Sequence, residues 1–445
     1  MNCLLIRAAA LLVPTAFGTF MLTEPAALPD TPAGACVRAF FDMIAEPTDE
    51  NVRRFESEHR SPRRLAERSM ESRVSRAAEL RARLGKLSLK EVISVDPNAI
   101  VVVANGKDGP VRLEFEFDAS ADGKLDAIQV IIGEPQHSGP PVALTPEVRA
   151  ATVEGAADAV EKGYVYPEIG QKMAAALRDK LKAGAYEQAK DEPAFARMLT
   201  QDLRAVSNDR HLGVRPAPRT DQPDRGPSAQ EIAGDDYGFR KVEILPENIG
   251  YVRFDAFMNA PQAETTAAAA LAFVAHCDAL IFDLRENGGG DPAMIRFMTS
   301  FLFDEPTHLN DMVDRDGKVV EEFWTLKSVP GRRFATGLPV FVLTSSYTFS
   351  GAEEFRYNLQ NLKRATIVGE TTGGGAHPVR GERINLRFMI GVPYMRARNP
   401  ISQTKREGTG VKPDVGVSAS QALERAVELA TKAIHDRRSG SDTTK

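Results

Sequence analysis

Cysteine is almost absent from this chain of 445 residues, which has only Cys3, Cys36 and Cys277. Three cysteines so far apart form no metal-binding cluster, and once Cys3 leaves with the N-terminus at most one disulfide remains. None of the seven histidines belongs to an H-E-x-x-H pair, so the sequence does not point to a zinc enzyme. A charge excess is missing as well: the formal net charge is −5 and the pI is near 5.9, giving no global reason to expect a nucleic-acid partner. Beyond the N-terminus no run is long and apolar enough to cross a bilayer. The G-x-S-x-G elbow is also lacking, because Thr348 stands where its first glycine belongs. That argues against an α/β-hydrolase.

What is present is the composition of an ordinary folded protein, 42% hydrophobic and 26% charged, long enough for about two to four domains. Residues 1–28 read as a signal peptide: Arg7, the apolar run Ala8 to Leu22, then Ala26-Ala27 and prolines. The mature protein is therefore expected outside the cytoplasm, periplasmic or extracellular, without stable membrane insertion. An uncleaved anchor is the alternative, and no lipobox-like cysteine follows the run. Residues 34–140 put helical patterns before strand-like runs separated by Asp-Gly and Pro-Asn turns, an α+β accessory domain. Its basic helix, Arg73 to Arg83, reads as a solvated face. Residues 145–215 have helical periodicity throughout. Residues 216–237 are rich in Pro, Asp and Gly and read as a linker. From 238 to 438 strands alternate with helices, and glycine clusters follow strands directly. This is the pattern of a mostly parallel α/β sheet whose loops turn backbone amides toward a ligand.

One stretch, "VFVLTSSYTFSGAEEF" (340–355), carries the chemical question. Ser350 and Glu353 have the S-x-x-E spacing of a helix capping box. The same serine stands at a strand-to-helix turn, beside the small Gly351 and at the positive end of a helix, where a nucleophile would be accessible. The stretch alone leaves both readings open.

"LIFDLRENGGG", "PVFVLTSSYTFSGAEEFRYNLQNLKRATIVGETTGGG" and "EGTGVKPDV", with the helical segment ending in "NDRHLGV", occur in an order that resembles the tail-specific (C-terminal-processing) serine protease family. Within it they are most similar to the branch containing the interphotoreceptor retinoid-binding protein repeats and the tricorn protease core. The resemblance covers roughly residues 145 to 435. It implies a crotonase/ClpP-like protease core with Ser350 as nucleophile and Ser345 and Ser346 as turn residues. In the family's lysine-dyad branch a lysine follows in a glycine loop. Here that place falls at Gly375, and "TTGGGAH" holds no lysine, so another base is required. His211 matches the tricorn-type base, with His377 as rival because its loop takes the lysine's place. Glu407 matches the acidic member. Arg210 stands where the tricorn-type set has a serine, and Asp209 is a second candidate to orient the base. The family's oxyanion amides fall at the glycine cluster, Gly289 and Gly290, and at Gly351. The linker is too short for the PDZ domain of many relatives.

The resemblance thus implies an exported serine peptidase that forms an acyl-enzyme on Ser350 with His211 as general base. It needs no cofactor or metal and acts on a peptide or protein substrate. The alternatives are a non-catalytic binding protein for apolar ligands of the retinoid-binding type, and a hydrolase or transferase of another acyl compound. Retention of Ser350, His211 and Glu407 together argues against a dead site.

Overall fold

A computed structural model describes residues 28–67, 70–96, 98–118, 123–132, 144–189, 191–217, 229–258, 261–402 and 407–442. Apart from Leu28, the signal-peptide segment lies outside the described residues. No helix among them is long and apolar enough to cross a membrane.

The accessory unit is α+β, as its pattern implies. Helices Pro32–Ala45, Asp49–His59, Pro62–Glu67 and Met70–Leu84 precede a four-stranded antiparallel meander in chain order, Ser88–Asp96, Ala99–Gly106, Gly109–Asp118 and Lys124–Ile132. The strand Gly109–Asp118 alternates strictly, sending Val111, Leu113, Phe115 and Phe117 to one face. That face meets Phe40 and Phe55 from the first two helices. The basic helix is not wholly solvated: Arg73 is buried and Nη1 donates to Glu56 at 2.8 Å. A charge run has no periodicity of its own to reveal one inward-facing member.

Three helices follow, Pro146–Gly163, Pro167–Lys182 and Glu192–Ser207. Each starts on a proline at its first turn, and Thr145 and Asp191 cap their helices by accepting from Val148 N–H and Ala194 N–H. The third stops at Asn208, which takes the left-handed conformation at φ 54°. The chain then turns into the short strand Gly213–Pro216. This strand pairs with Phe388–Pro393, whose Phe388, Ile390 and Val392 share one core with Val153, Val160, Phe195 and Leu199 of the helices. The helical subdomain is thereby welded to the C-terminal third of the chain. The stretch "RINLRFMIGVPYMRA" (383–397) reads from sequence as two strands around Gly391. The structure has one strand running through it, with Gly391 opposite Gly381 on one side and Gly213 on the other.

The main sheet has six strands in the order Val415–Gly416, Thr366–Gly369, Val340–Thr344, Ala279–Asp283, Ile249–Phe254, Phe239–Leu245. All pairs are parallel except the last, an antiparallel edge strand. Every residue of Ala279–Asp283 and Val340–Thr344 is buried, as parallel strands covered on both faces must be. Helices Pro261–Phe273, Pro292–Ser300 and Gly351–Asn361 cover one face, and Ala422–Asp442 covers the other through Ala422, Ala426, Ala430 and Ile434. A hairpin, His308–Val313 and Val319–Trp324, extended by Arg396–Arg398, occupies a stretch for which the sequence offers no expectation. Cys36 and Cys277 are both buried and free, in separate cores, so no disulfide links them.

Candidate active site

Ser350 sits at the carboxyl end of the sheet, in the turn between strand Val340–Thr344 and helix Gly351–Asn361. Buried hydroxyls hold this turn. Thr348 Oγ1 donates to Leu284 O at 2.8 Å and accepts from Ser345 N–H, while Ser345 Oγ donates to Arg285 O. Phe349 N–H donates to Asn287 O at 3.2 Å. Ser345 is thus a turn residue that ties the Ser350 loop to the "DLRENGGG" loop. Ser350 has φ 52° and ψ −120°, an unusual backbone for a residue with a Cβ. Glu353 Oε2 accepts its backbone N–H at 3.0 Å, one half of the expected capping box.

The Ser350 hydroxyl lies 3.2 Å from His211 Nε2. His211 comes from the turn between helix Glu192–Ser207 and strand Gly213–Pro216, more than a hundred residues away in sequence. Its ring stacks at a tilt on Phe349, centroids 4.6 Å apart, and the Arg210 guanidinium lies over the other partner of that pair at 5.5 Å from the Phe349 centroid. The rival His377 points elsewhere: its Nδ1 donates to Asp209 Oδ2 at 2.8 Å.

Gly375 explains why the histidine and a residue with a side chain at the glycine loop exclude each other. A Cβ there would stand 2.6 Å from His211 Cε1 and 2.4 Å from Phe349 Cζ. The glycine loop is itself fastened by Glu353, whose two oxygens accept from Gly374 N–H at 2.9 Å and Gly375 N–H at 2.6 Å. The helix that carries Ser350 therefore also holds the loop that leaves room for its base.

Behind His211 is a buried acid network. Asp209, with no exposed surface, accepts at Oδ1 from the His211 backbone N–H (2.9 Å) and at Oδ2 from Tyr164 Oη (3.0 Å) and His377 Nδ1 (2.8 Å). Its Oδ1 is 3.9 Å from His211 Nδ1. Glu407 accepts from Ala376 N–H at 2.5 Å and stands 3.3 Å from His377 Nδ1. Burial, then the charge of Asp209, pushes the Glu407 carboxyl up to about 8. Burial also disfavours the Asp209 charge, but the hydrogen bond and charge of His377, with the His211 amide and Tyr164, outweigh it and hold that carboxyl below the usual range. The two shifts run in opposite directions, Glu407 toward the neutral acid and Asp209 toward the carboxylate. Asp209, His211 and Glu407 bring potential ligand atoms within 4.8 Å of one another. Both Asp209 oxygens already accept from N–H and O–H groups, an arrangement suited to proton sharing and not to a cation.

Of the expected oxyanion amides, Gly289 is a correction: its N–H donates to Asn287 Oδ1 at 2.8 Å. Gly289 is needed for space, since a Cβ there would come within 2.6 Å of Gly351 N, at φ 105°. Gly290 and Gly351 line the cavity beside Ser350, and their N–H groups have no protein partner among the described residues. The cavity measures about 290 Å³ and is walled by Ile295, Leu309, Met312, Phe323 and Ala397. Leu309, Met312 and Phe323 come from the unexpected hairpin, so sequence reading missed that wall. Tyr164, the second donor to Asp209, was equally hidden, as an aromatic in "KGYVYPE" with no chemical motif around it.

Residues 248–417 match peptidase family S41, and residues 142–236 match the N-terminal domain of that family in eukaryotic interphotoreceptor retinoid-binding protein. The chain belongs to peptidase family S41. It is thus a serine-type peptidase, a hydrolase of peptide bonds with peptide or protein substrates. Among solved structures it is similar to a candidate peptidase from Parabacteroides merdae ATCC 43184, at 19% identity over 63% of this chain and 96% of the other, TM-score 0.49. It also aligns with the photosystem II D1 C-terminal processing protease, at 16% identity over 64% and 96%, TM-score 0.42. The tricorn protease aligns at 11% identity over 78% and 47%, TM-score 0.43.

Proposed function

We propose that this S41 peptidase works through an acyl-enzyme on Ser350 with His211 as general base. The 3.2 Å contact between His211 Nε2 and Ser350 Oγ carries the reading. As Oγ bonds to the scissile carbonyl carbon, its proton passes to Nε2 and the carbonyl oxygen becomes an oxyanion facing the amides of Gly290 and Gly351. Collapse breaks the C–N bond, the leaving amine takes the proton from Nε2, and water then releases the acyl group by the reverse proton path. Asp209 is the buried anion that stabilises the imidazolium: a unit charge near 4 Å is worth about 4 kcal/mol at an effective dielectric near 20. Glu407, holding its proton at neutral pH, serves as a hydrogen-bond donor that keeps Asp209 ionised and fixed. His377 supports Asp209 from the other side. The apolar cavity favours an apolar side chain next to the cut bond.

A fluorophosphonate probe tests the reading. Ser350 should be the labelled residue, and His211→Ala should abolish labelling while His377→Ala only weakens it. No labelling of the folded protein would favour the binding-protein alternative, and labelling of another serine would overturn the assignment. Export follows from residues 1–28 alone. The mature protein should start near residue 28, and finding Met1 at its N-terminus would reject cleavage.

A further inference from the structure

The accessory domain contains a pocket of about 420 Å³ that the peptidase chemistry does not use. This is within the range of about 300–1,000 Å³ typical of small-molecule sites. It lies between the helices and the sheet, and its walls are of two kinds. Phe40, Ile44, Phe55, Leu80, Ile128 and Val130 make an apolar floor. Arg60, Arg64, Arg73 and Arg76 stand around it, with Glu56 and Asp126 as the carboxylates of the lining.

The guanidinium groups are held in place, not loose. Glu56 takes two bonds from Arg60 (2.8 and 2.9 Å) and one from Arg73 (2.8 Å), and Asp126 takes two from Arg64 (3.2 and 3.0 Å). Four cations against Glu56, Asp126 and the Glu286 carboxylate that faces Arg76 leave one positive charge in excess above a hydrophobic floor. Arg76 is the most open of the four, its side chain 42% exposed, with Glu286 Oε2 only at 3.9 Å, beyond hydrogen-bond distance. Planar forks beside an apolar cavity match a carboxylate that carries an apolar tail.

One group from the peptidase core lines this pocket and a second faces its Arg76. Tyr347, three residues before Ser350, forms part of its wall. Glu286, which faces Arg76, lies in the loop that leads to Gly288–Gly290. An occupant would therefore touch the accessory domain and Tyr347 of the Ser350 loop, and would lie next to the Arg76–Glu286 pair.

We propose that this pocket binds a small carboxylate with an apolar tail, and that the carboxylate docks on Arg76. The site is separate from the peptide-cleaving cavity, and its occupancy does not depend on Ser350. An alkanoic acid and the C-terminal residue of a peptide offer the same chemistry.

Calorimetric titration of the full chain with octanoate, octylamine and an apolar dipeptide bearing either a free or an amidated C-terminus tests this. Octanoate should bind at one site per chain, and octylamine at least ten-fold more weakly. Arg76→Glu should weaken octanoate at least ten-fold, Arg76→Gln by an intermediate factor, and Ser350→Ala not at all. If Arg76→Glu does not fold, Arg76→Gln decides alone, because it keeps the size of the side chain near the surface. Preference for the free dipeptide over octanoate would identify a peptide terminus as the natural source, and the reverse preference a free acid. Equal affinity in wild type and Arg76→Gln, equal binding of octylamine, or no saturable octanoate binding would overturn the proposal. Because binding is read without hydrolysis, a failed Ser350 assignment would leave this result standing.

Discussion

Ser350 occupies a backbone conformation, φ 52° and ψ −120°, that costs a residue with a side chain on the order of 1–3 kcal/mol. The surrounding hydrogen bonds of Thr348, Ser345 and Glu353 hold it there, so the strained residue is the one proposed as nucleophile. Ser350→Gly should remove hydrolysis and raise stability by about 1 kcal/mol, whereas Ser350→Ala should remove hydrolysis without that gain. Thermal melts of the two variants side by side check this. A glycine variant that melts below the alanine variant would show that the backbone is not strained. The Asp209–Glu407 pair makes a second claim at this scale. Below its ordinary value of 4.5 Glu407 is protonated whether folded or not. Between 4.5 and about 8 only the folded form keeps the proton, so unfolding releases it and stability falls as pH rises through that window. Glu407→Gln, a permanent stand-in for the acid, should flatten the fall and keep most activity at pH 7. Asp209→Asn should lose activity by about two orders of magnitude or more, since it removes the charge that faces the imidazolium. Denaturant titrations from pH 4 to 9, with kcat/KM for both variants, decide it. Loss of activity in Glu407→Gln as large as in Asp209→Asn would return the anion's role to Glu407. The residue types of this network were legible in the sequence, but the division of labour was not, because it depends on burial that no spacing encodes.

At the scale of elements, the glycine loop after strand Thr366–Gly369 is the piece whose shape decides which base the site can use. Glu353 holds Gly374 and Gly375 by their amides, and the space above Gly375 is filled by Phe349 and His211. Gly375→Ala should push the histidine ring off Ser350 and lower kcat/KM by about 100-fold, the scale of a 1 Å misplacement at a reacting centre. Gly381→Ala, where a Cβ meets nothing within 4 Å, should leave activity unchanged. Equal activity in both variants would mean that the loop yields and the ring stays. The absence of lysine here was visible in "TTGGGAH", and the steric reason for it became visible only with the ring in place. The parallel strands were legible for a simple reason. Residues 279–282 and 340–343 are apolar throughout because both faces are covered. The hairpin at residues 308–324 was not, because "HLNDMV" buries the polar Asn310 and Asp311 along with its apolar residues and "VVEEFW" is mostly exposed, so neither shows a clean apolar period. It nonetheless supplies Leu309, Met312 and Phe323 to the cavity beside Ser350.

At the scale of the whole molecule, the cores show which parts depend on each other. The accessory domain encloses its own cluster around Phe40, Phe55 and Phe115, and none of its helices or strands packs broadly against an element of the rest of the chain. Among the described residues its contacts with the peptidase include Arg76 with Glu286 and Tyr347 at the pocket. The helical subdomain is different. It shares one core with Phe388, Ile390 and Val392, and it delivers His211, Asp209 and Tyr164 to the site. The boundary near residue 145 should therefore be one at which the chain can be cut, and the polar stretch near 217–228 should not be, although its composition looks more like a linker. A chain starting at residue 143 should unfold cooperatively and still carry the probe on Ser350. One starting at residue 229 should fail on both counts, because it exposes the apolar face of strand Phe388–Pro393 and lacks the base. If the shorter piece folded, the shared core would not be the bond between the two halves. If the longer piece failed to fold, the accessory domain would be part of the peptidase's own structure, and the pocket at Tyr347 would be one place where the two are joined.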